Sequence, residues 1–476
     1  GSDRPCMTED RINPFVLQVC NSLRQNRASV QVSPVDSDGD VDVAEVMQGL
    51  IRHITYDSSS DMAYDIASTS CVRTGRGFYR IITEYETETS FDQVIKVKSI
   101  PNHHLVYVDP TAVEPDLSDA DWVMIAQDVT KEDFESEFPD SEMSMMGTTS
   151  WASIGDEAPA WVSADGKSCR IVEYFYKEPR KDKIYRLSDG TTGEVSKLPK
   201  GVSCKVGDLI GDFTVEAIRD TVTHDVKWAK INALEVLDRK EWPGKIIPIV
   251  PVLGKELIVN GIRRYFGLVS GMIDPQRRFN WLLSTELEII SLVPRSPWLA
   301  ATGSLVNPHE WANSHRKPTG VLTYNATVDG QQVPMPARNH STADVGAVHG
   351  ALMGAAEGLK GNTGLYNPSI GASASSSQSG VAIRAQQAQG DMSTYHFQNA
   401  VTRARRHEGR ILLELIPKIY DAKRVVRIIG DDESTKTVEL NGDDGSFDIT
   451  SGRYDVTVTA GPSYTTRRQE NLAVLM

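Results

Sequence analysis

Four groupings in this sequence hold residue types that could do chemistry, and each fails on spacing or context. His309-Glu310-Trp311-Ala312-Asn313-Ser314-His315 carries the residues of a zinc-hydrolase helix. Two histidines share one helix face, and so one metal, when they stand four apart; these stand six apart. Asp36, Asp38 and Asp40 alternate like the first ligands of a calcium loop, but the full ligand set and its closing glutamate are missing. That run is read as a solvated turn or helix cap. Gly358-Leu359-Lys360-Gly361-Asn362-Thr363-Gly364 is glycine-rich, yet it follows a helical pattern and lacks the lysine-hydroxyl ending of a phosphate loop. His103 and His104 are neighbours and on a strand would point to opposite faces, which suits no single metal. No GxSxG elbow and no identifiable acid/base pair of carboxylates occurs. The five cysteines, Cys6, Cys20, Cys71, Cys169 and Cys204, are widely spaced and odd in number, so free thiols are expected. The expectation is no catalytic residue, no metal, no cofactor, and a mechanical or scaffolding role.

The residues that stand out are ones that pack. Gly346, Gly350, Gly354 and Gly358 fall four apart inside a helical pattern. Each costs a helix interior about 1 kcal/mol relative to alanine, roughly 4 kcal/mol for the row. The physical use of such a row is the close approach of another helix. Asp344, Glu357 and Lys360 argue against a membrane span there. Arg403, Arg405, Arg406 and Arg410 cluster on a second helix; inter-subunit pairing and DNA contact are both open. The serine-rich run 371–380, with Ser373, Ser375, Ser376, Ser377 and Gln378, has no apolar anchor, so it reads either as a linker or as a loop facing a lumen.

The elements that must position these residues follow from periodicity. Residues 1–75 read as helical around a short strand at Val30–Val35, because apolar residues recur at steps of three and four. Residues 76–255 break into short β-branched and aromatic runs separated by turn residues, with a weakly patterned insertion at 143–168. Ile246–Val252 must be extended, since Pro248 and Pro251 forbid helix. A helix starts near Asp274-Pro275 and carries the stripe Phe279, Leu283, Leu287 and Ile290, ending at Val293-Pro294. A compact excursion to Arg338 follows, with Asp329-Gly330 as a tight turn. A second helix spans about 343–361, and a long one about 380–416, with Gly390 and Gly409 as kink sites. Strands return at 424–460, and Arg467–Met476 looks like a helix beginning.

A length of 476 residues implies two to four structural units. No apolar run approaches the ~20 residues a bilayer needs, and no signal peptide opens the chain. The net charge of −14 argues against a conventional DNA-binding protein. It is uneven: residues 265–420 hold 13 Lys and Arg against 10 Asp and Glu, so the remainder carries −17. Such a chain suits DNA that must slide, because each neutralised phosphate adds grip.

The ordered phrases Val43-Ala44-Glu45-Val46-Met47-Gln48-Gly49-Leu50, Gly75-Arg76-Gly77-Phe78-Tyr79-Arg80, Tyr107-Val108-Asp109-Pro110, Asp274-Pro275-Gln276-Arg277, Asp391-Met392-Ser393-Thr394-Tyr395 and Gly409-Arg410-Ile411-Leu412 cover nearly the whole chain. With them the sequence resembles the portal proteins of short-tailed, double-stranded-DNA bacteriophages. The resemblance implies an α+β portal fold: a mixed α/β wing, a two-helix stem, a small clip, a long kinked helix and a helical crown, in a ring oligomer. On this chain it implies a wing at 1–264, stem helices at 265–293 and 339–361, a clip at 294–338, and a tunnel loop at 362–379. The long kinked wing helix would take 380–423, and a β-containing wing segment and the start of the crown 424–476. The family departs at the ends, where its members have more residues before the first helix and many carry a C-terminal helical barrel.

The resemblance further implies a dodecameric head-to-tail connector at the unique capsid vertex, assembled in the host cytoplasm, through which DNA is packaged and ejected. Its implied partners are double-stranded DNA, the terminase large subunit, the tail adaptor, and the major capsid and scaffolding proteins, with no membrane. Trp298, His309, Trp311, Arg316, Lys317 and Tyr324 are the expected clip docking residues, and the five serine-run residues above face DNA. Two rival readings remain: a phage-encoded hydrolase with an unrecognised site, and a ring-forming tail adaptor.

Overall fold

Three helices open the chain, each with an apolar stripe. In α1 (Asn13–Gln25), Phe15, Val16, Val19 and Cys20 are buried, and in α2 (Val41–Asp57), Val43, Val46, Met47, Leu50, Ile51 and Ile54. Steps of three and four put these residues on one face. Asp40 is the cap of α2, its carboxylate accepting the amide of Asp42 at 3.0 Å. β1 (Ala28–Pro34) lies between them and α3 (Ser60–Thr74) follows. The computed structural model describes residues 6–35, 40–141, 167–188, 190–198, 204–210, 213–260, 262–292, 297–316, 320–338, 345–364, 380–421, 423–430, 435–441, 449 and 454–460, with backbone alone over 380–393. Asp36, Asp38, the insertion at 143–166, Lys317, the serine run 373–378 and the helix expected at 467–476 lie outside these residues.

The β-rich body comes next. β2 (Arg76–Tyr85) and β3 (Gln93–Ser99) form a hairpin, and β4 (Val106–Val108) and β5 (Trp122–Thr130) precede the short helix α4 (Lys131–Glu137). Then come β6 (Ser168–Leu187), β7 (Thr192–Glu194), β8 (Leu209–Ile210), β9 (Phe213–Ile231) and β10 (Val236–Glu241). β11 (Ile249–Leu253), β12 (Lys255–Val259) and β13 (Ile262–Phe266) end the body. One antiparallel sheet runs β10-β9-β6-β5-β4, with β7 on β6 and β8 on β9; a second runs β11-β2-β3. Phe78 and Ile249 of the second sheet share a core with Val106, Val123, Ile125, Phe175 and Val226 of the first. The proline-bounded run is β11, all five of its residues buried against β2.

β6 and β9 are far longer than the sequence suggests. They pair without a break from Val172↔Ile231 to Arg186↔Ala217. Pro179 and the charged residues around it read as a loop. Pro179 instead lies beyond Tyr176, where β5 stops pairing, so its missing N–H falls where β6 has a free edge. The charges pair across the strands, Lys227 with Glu178, and Arg180 with Asp225 at 3.5 Å.

The chain continues through α5 (Ile273–Leu292), β14 (Trp298–Leu299), α6 (Pro308–Ala312), β15 (Thr327–Val328), β16 (Gln331–Gln332), β17 (Ala337–Arg338) and α7 (Val345–Thr363). It ends through α8 (Gly380–Ile419), β18 (Arg424–Ile429), β19 (Thr435–Leu440) and β20 (Tyr454–Ala460). Two compact units result: Gly1–Val19 with Leu268–Tyr395, and Cys20–Gly267 with His396–Met476. The expected helix ends move little, although α8 runs through Pro417 to Ile419. β20 returns to pair with β1 from Ala28↔Ala460 to Pro34↔Tyr454. That pairing explains Gly409 better than a kink does. A Cβ there would sit 2.7 Å from Val456 Cγ1 and 3.1 Å from Val30 Cγ1, so only glycine lets α8 lie on this two-stranded sheet.

The C-terminal half of α8 is locked by a buried polar cluster. Glu408 is 0 % exposed. It accepts from Tyr64 Oη at 2.6 Å, Tyr79 Oη at 2.8 Å and Arg405 Nη1 at 2.7 Å. The Arg405 guanidinium lies 4.2 Å over the Tyr64 ring, and the two tyrosines meet edge to face. Burial opposes the Arg405 charge, but the Glu408 carboxylate outweighs it and holds the guanidinium protonated. Burial also pushes both tyrosine hydroxyls up, so they remain donors. One residue away, His407 is buried, its Nδ1 3.7 Å from Asp116, which also faces Arg410 at 3.5 Å. Burial pushes His407 down to about 4 from 6.5; Asp116 opposes this, while Arg410 and Lys177 add to it.

Two predictions follow from this helix. Glu408→Gln should lose about 3–5 kcal/mol, because it strands a buried guanidinium. Adding Arg405→Met should restore much of that, as read by the denaturation midpoint; a double variant no more stable than E408Q would refute the pairing. Second, a His whose folded pKa is depressed contributes stability in full above pH 6.5, lost as pH falls towards 4. For His407 the loss is about 3 kcal/mol. His407→Gln should flatten the fall in apparent Tm across that window, and a profile as steep as wild type would show that the histidine is not the acid-sensitive group.

Candidate assembly surfaces

α5 and α7 form a packed pair. Phe279, Leu282, Leu352 and Ala355 are its core, with Leu283, Ala351 and Ala356 against them. His349 Nδ1 meets Glu286 Oε1 at 2.9 Å. Of the expected stripe, Phe279 and Leu283 do the packing. Leu287 and Ile290 are 37 % and 50 % exposed, because four residues beyond Glu286 the pairing reaches Val345, where α7 begins. Trp281 is 63 % exposed on the far side of α5.

The glycine row does not face α5. At about 100° per residue, Gly354 lies roughly 200° round the helix from Leu352. Gly350, Gly354 and Gly358 are exposed, and a Cβ on any of them would meet nothing within 4 Å. Gly346 is also exposed. Gly350, Gly354 and Gly358 therefore mark an open face of α7 among the described residues.

A feature invisible in the sequence lies along α5. Gln276, Asn280 and Ser284 stand four apart and accept the amides of Arg11 at 3.1 Å, Glu9 at 3.2 Å and Met7 at 3.0 Å. Gln276 Nε2 also donates to the Glu9 carbonyl. Four helical residues rise about 6 Å and two extended ones about 6.6 Å, so a polar helix stripe matches alternate amides of a strand. Arg11 completes the contact, 5.1 Å over the Phe279 ring. The only sequence signal was the i, i+4, i+8 spacing of three uncharged polar residues.

The segment between the two helices has its own small core. Trp311 is 4 % exposed, donates Nε1–H to the Thr323 carbonyl at 3.0 Å, and stands edge-on to Trp298 at 4.8 Å. Trp298 Nε1 and Arg338 Nη2 both donate to Ser314 Oγ at 3.2 Å, and Arg338 caps the Trp298 ring. Trp311, expected as a docking residue, is thus a core residue, and Trp298 is half-buried beside it. His309, Arg316 and Tyr324 are exposed. So are Leu299, Val306, Val321 and Met335, apolar positions that no periodicity had singled out. Asp329 and Gly330 form the expected tight turn, both at positive φ, joining β15 to β16.

The arginine cluster needs correction. Arg403 Nη2 donates to the Leu253 carbonyl, Arg405 is consumed by Glu408, and Arg410 faces Asp116. Their helix is buried along Phe397, Ala400, Ala404, Ile411, Leu412 and Leu415, and Arg403 and Arg405 turn inward to acceptors of the body, while Arg410 meets Asp116 at the surface. Only Arg406 is exposed without a hydrogen bond or ion pair among the described residues. Among those residues no three or more His, Cys, Asp or Glu stand together as a metal site, and no helix is long and apolar enough to cross a membrane.

Within the unit that holds them, α5 and α7 pack on each other, three glycines of α7 face open space among the described residues, and the segment between the helices has a core of its own. A relative described as "Portal protein", from Acyrthosiphon pisum secondary endosymbiont phage 1, is 24 % identical over 498 residues, covering 98 % of this chain and 67 % of that one. Residues 1–476 match the family described as "Phage P22-like portal protein", and the chain belongs to that family as a phage portal subunit.

Proposed function

We propose that copies of this chain close into a dodecameric ring, the channel for double-stranded DNA at the virion's portal vertex. In this reading α5 and α7 are the stem, within 265–293 and 339–361. The segment 294–338 is the clip, projecting from the capsid to dock the terminase large subunit during packaging and the tail adaptor afterwards. The tunnel loop at 362–379 comes nearest DNA. The α+β body, 1–264 with 380–476, is the wing and the start of the crown, meeting major capsid and scaffolding proteins. Assembly takes place in the host cytoplasm, with no membrane partner. The exposed apolar residues Leu299, Val306, Val321 and Met335 support a docking role for the clip.

The observation that carries the ring is the open glycine face of α7. Gly350, Gly354 and Gly358 together cost roughly 3 kcal/mol of helix stability, and a side chain on any of them would meet nothing among the described residues, so they call for a neighbour. The neighbouring subunit's stem is the occupant that this glycine face fits.

The two requirements can be separated experimentally. Because Gly350 and Gly354 face open space, Gly350→Leu with Gly354→Leu should leave the folded chain intact or raise its helix stability by about 1 kcal/mol per site. Circular dichroism should match wild type, and the melting temperature should equal or exceed it. Electron micrographs of wild type should show rings with a hole of roughly 20–40 Å, wide enough for B-DNA. The double variant should yield few or none; rings in wild-type numbers would sink the packing argument.

A further inference from the structure

The second unit contains a cleft of about 540 Å3, walled by α1, α2, α3, α8 and the β18–β19 hairpin, which nothing in the portal reading uses. Five arginines reach its lining: Arg24, Arg27, Arg52, Arg405 and Arg427. Among the described residues its carboxylates are Asp61 and Asp65, with Glu408 behind Arg405. Arg24 meets Asp65 at 3.1 Å, and Arg27 bridges Asp61 and Asp65. Arg52 donates to the Ile429 carbonyl at 3.2 Å, which fixes its fork at the hairpin. Arg427, on the same hairpin, is exposed and makes no hydrogen bond or ion pair among the described residues. Guanidinium thus exceeds carboxylate here, on a chain whose net charge is −14.

The rest of the wall is mixed, with hydroxyls from Thr55, Ser60, Ser68, Thr69 and Thr435 beside an apolar part. Leu23, Val401 and Ile429 line it, and Tyr56 stands at it with 71 % of its surface exposed. Planar forks of two parallel N–H groups fit carboxylates and phosphates alike. The apolar wall separates the candidates, since an inorganic anion has no use for it. Duplex DNA, whose major groove alone is about 12 Å wide, does not enter a cleft of this size.

We propose that this cleft docks an acidic peptide segment of a protein partner. Its carboxylates are received at Arg427, beside Arg52 on the facing helix, and an apolar side chain seats against Leu23, Tyr56 and Ile429. The site is separate from the clip, so the portal subunit has a second protein-binding surface on its body.

The test is a fluorescence-anisotropy titration of the full chain with a labelled octapeptide alternating Glu and Leu, beside its Gln/Leu counterpart. The Glu peptide should bind, more weakly as salt rises, and the Gln peptide should not. Arg427→Gln removes a side chain with no hydrogen-bond or ion-pair partner among the described residues and should weaken binding about tenfold or more, the worth of one charge-assisted hydrogen bond. Tyr56→Glu, at an exposed position, should weaken it similarly by repulsion. Arg186→Gln, whose partner is Glu216 on the sheet, should leave it unchanged. Equal binding of the two peptides, or wild-type affinity in both R427Q and Y56E, would overturn the proposal. So would displacement by inorganic phosphate at the peptide's own concentration, or binding of a short DNA duplex without the peptide.

Discussion

Glu408 is a carboxylate with no access to water, and the body of the protein is arranged so that it never needs any. Its donors come from α3, β2 and its own helix, and Tyr64 and Tyr79 lie 344 and 329 residues away in sequence. A buried charge with one donor missing costs several kcal/mol, so the cluster is satisfied as a whole or strongly destabilising. Satisfying it sets the rotation of α8. That rotation turns Gly409 to the sheet of β1 and β20, seals His407 beside Asp116, and leaves Arg406 outside. The early and late parts of the chain are joined by this one requirement more than by any local signal.

Much of the architecture was legible because it is periodic. The stripe through Phe279 and Leu283 placed α5, the four-spaced glycines placed α7, two prolines made β11 a strand, and Asp329-Gly330 announced its turn. What escaped was whatever depends on a partner remote in sequence. Pro179 and its charged neighbours read as a loop because the strand that pairs with them lies some forty-five residues on, at His224 and Asp225. The arginines of α8 read as a surface cluster because Glu408's tyrosines and the Leu253 carbonyl belong to other elements. Trp311 read as a docking residue because exposure and burial of a lone tryptophan leave the same letter in the sequence. The amide ladder of residues 7–11 on α5 has no signature beyond three polar residues at helical spacing.

The glycine row and the stripe on α5 are two uses of one helix pair. Side chains such as Phe279 and Leu352 fill the seam inside the chain, where burial of apolar area is the driving term. On the other face of α7 the glycines leave little side chain to bury, and what such a surface offers is distance: backbones can approach until dispersion acts between the helices themselves. A pair built this way is filled by side chains on one side and open on the other, among the described residues.

Charge limits what the middle of the chain can do to DNA. The segment 265–420 counts +3, but the count overstates its reach, because Arg405 is neutralised internally by Glu408, Arg410 faces Asp116, and Arg403 is turned to a backbone carbonyl. Each cation that meets a phosphate releases counterions and adds salt-dependent grip; a cation held by the protein's own carboxylate adds none. Holding these arginines on the protein's own acceptors therefore serves two ends at once. It supplies the partners that Glu408 and the loop at Asp116 require, and it leaves less positive charge free to grip a polyanion.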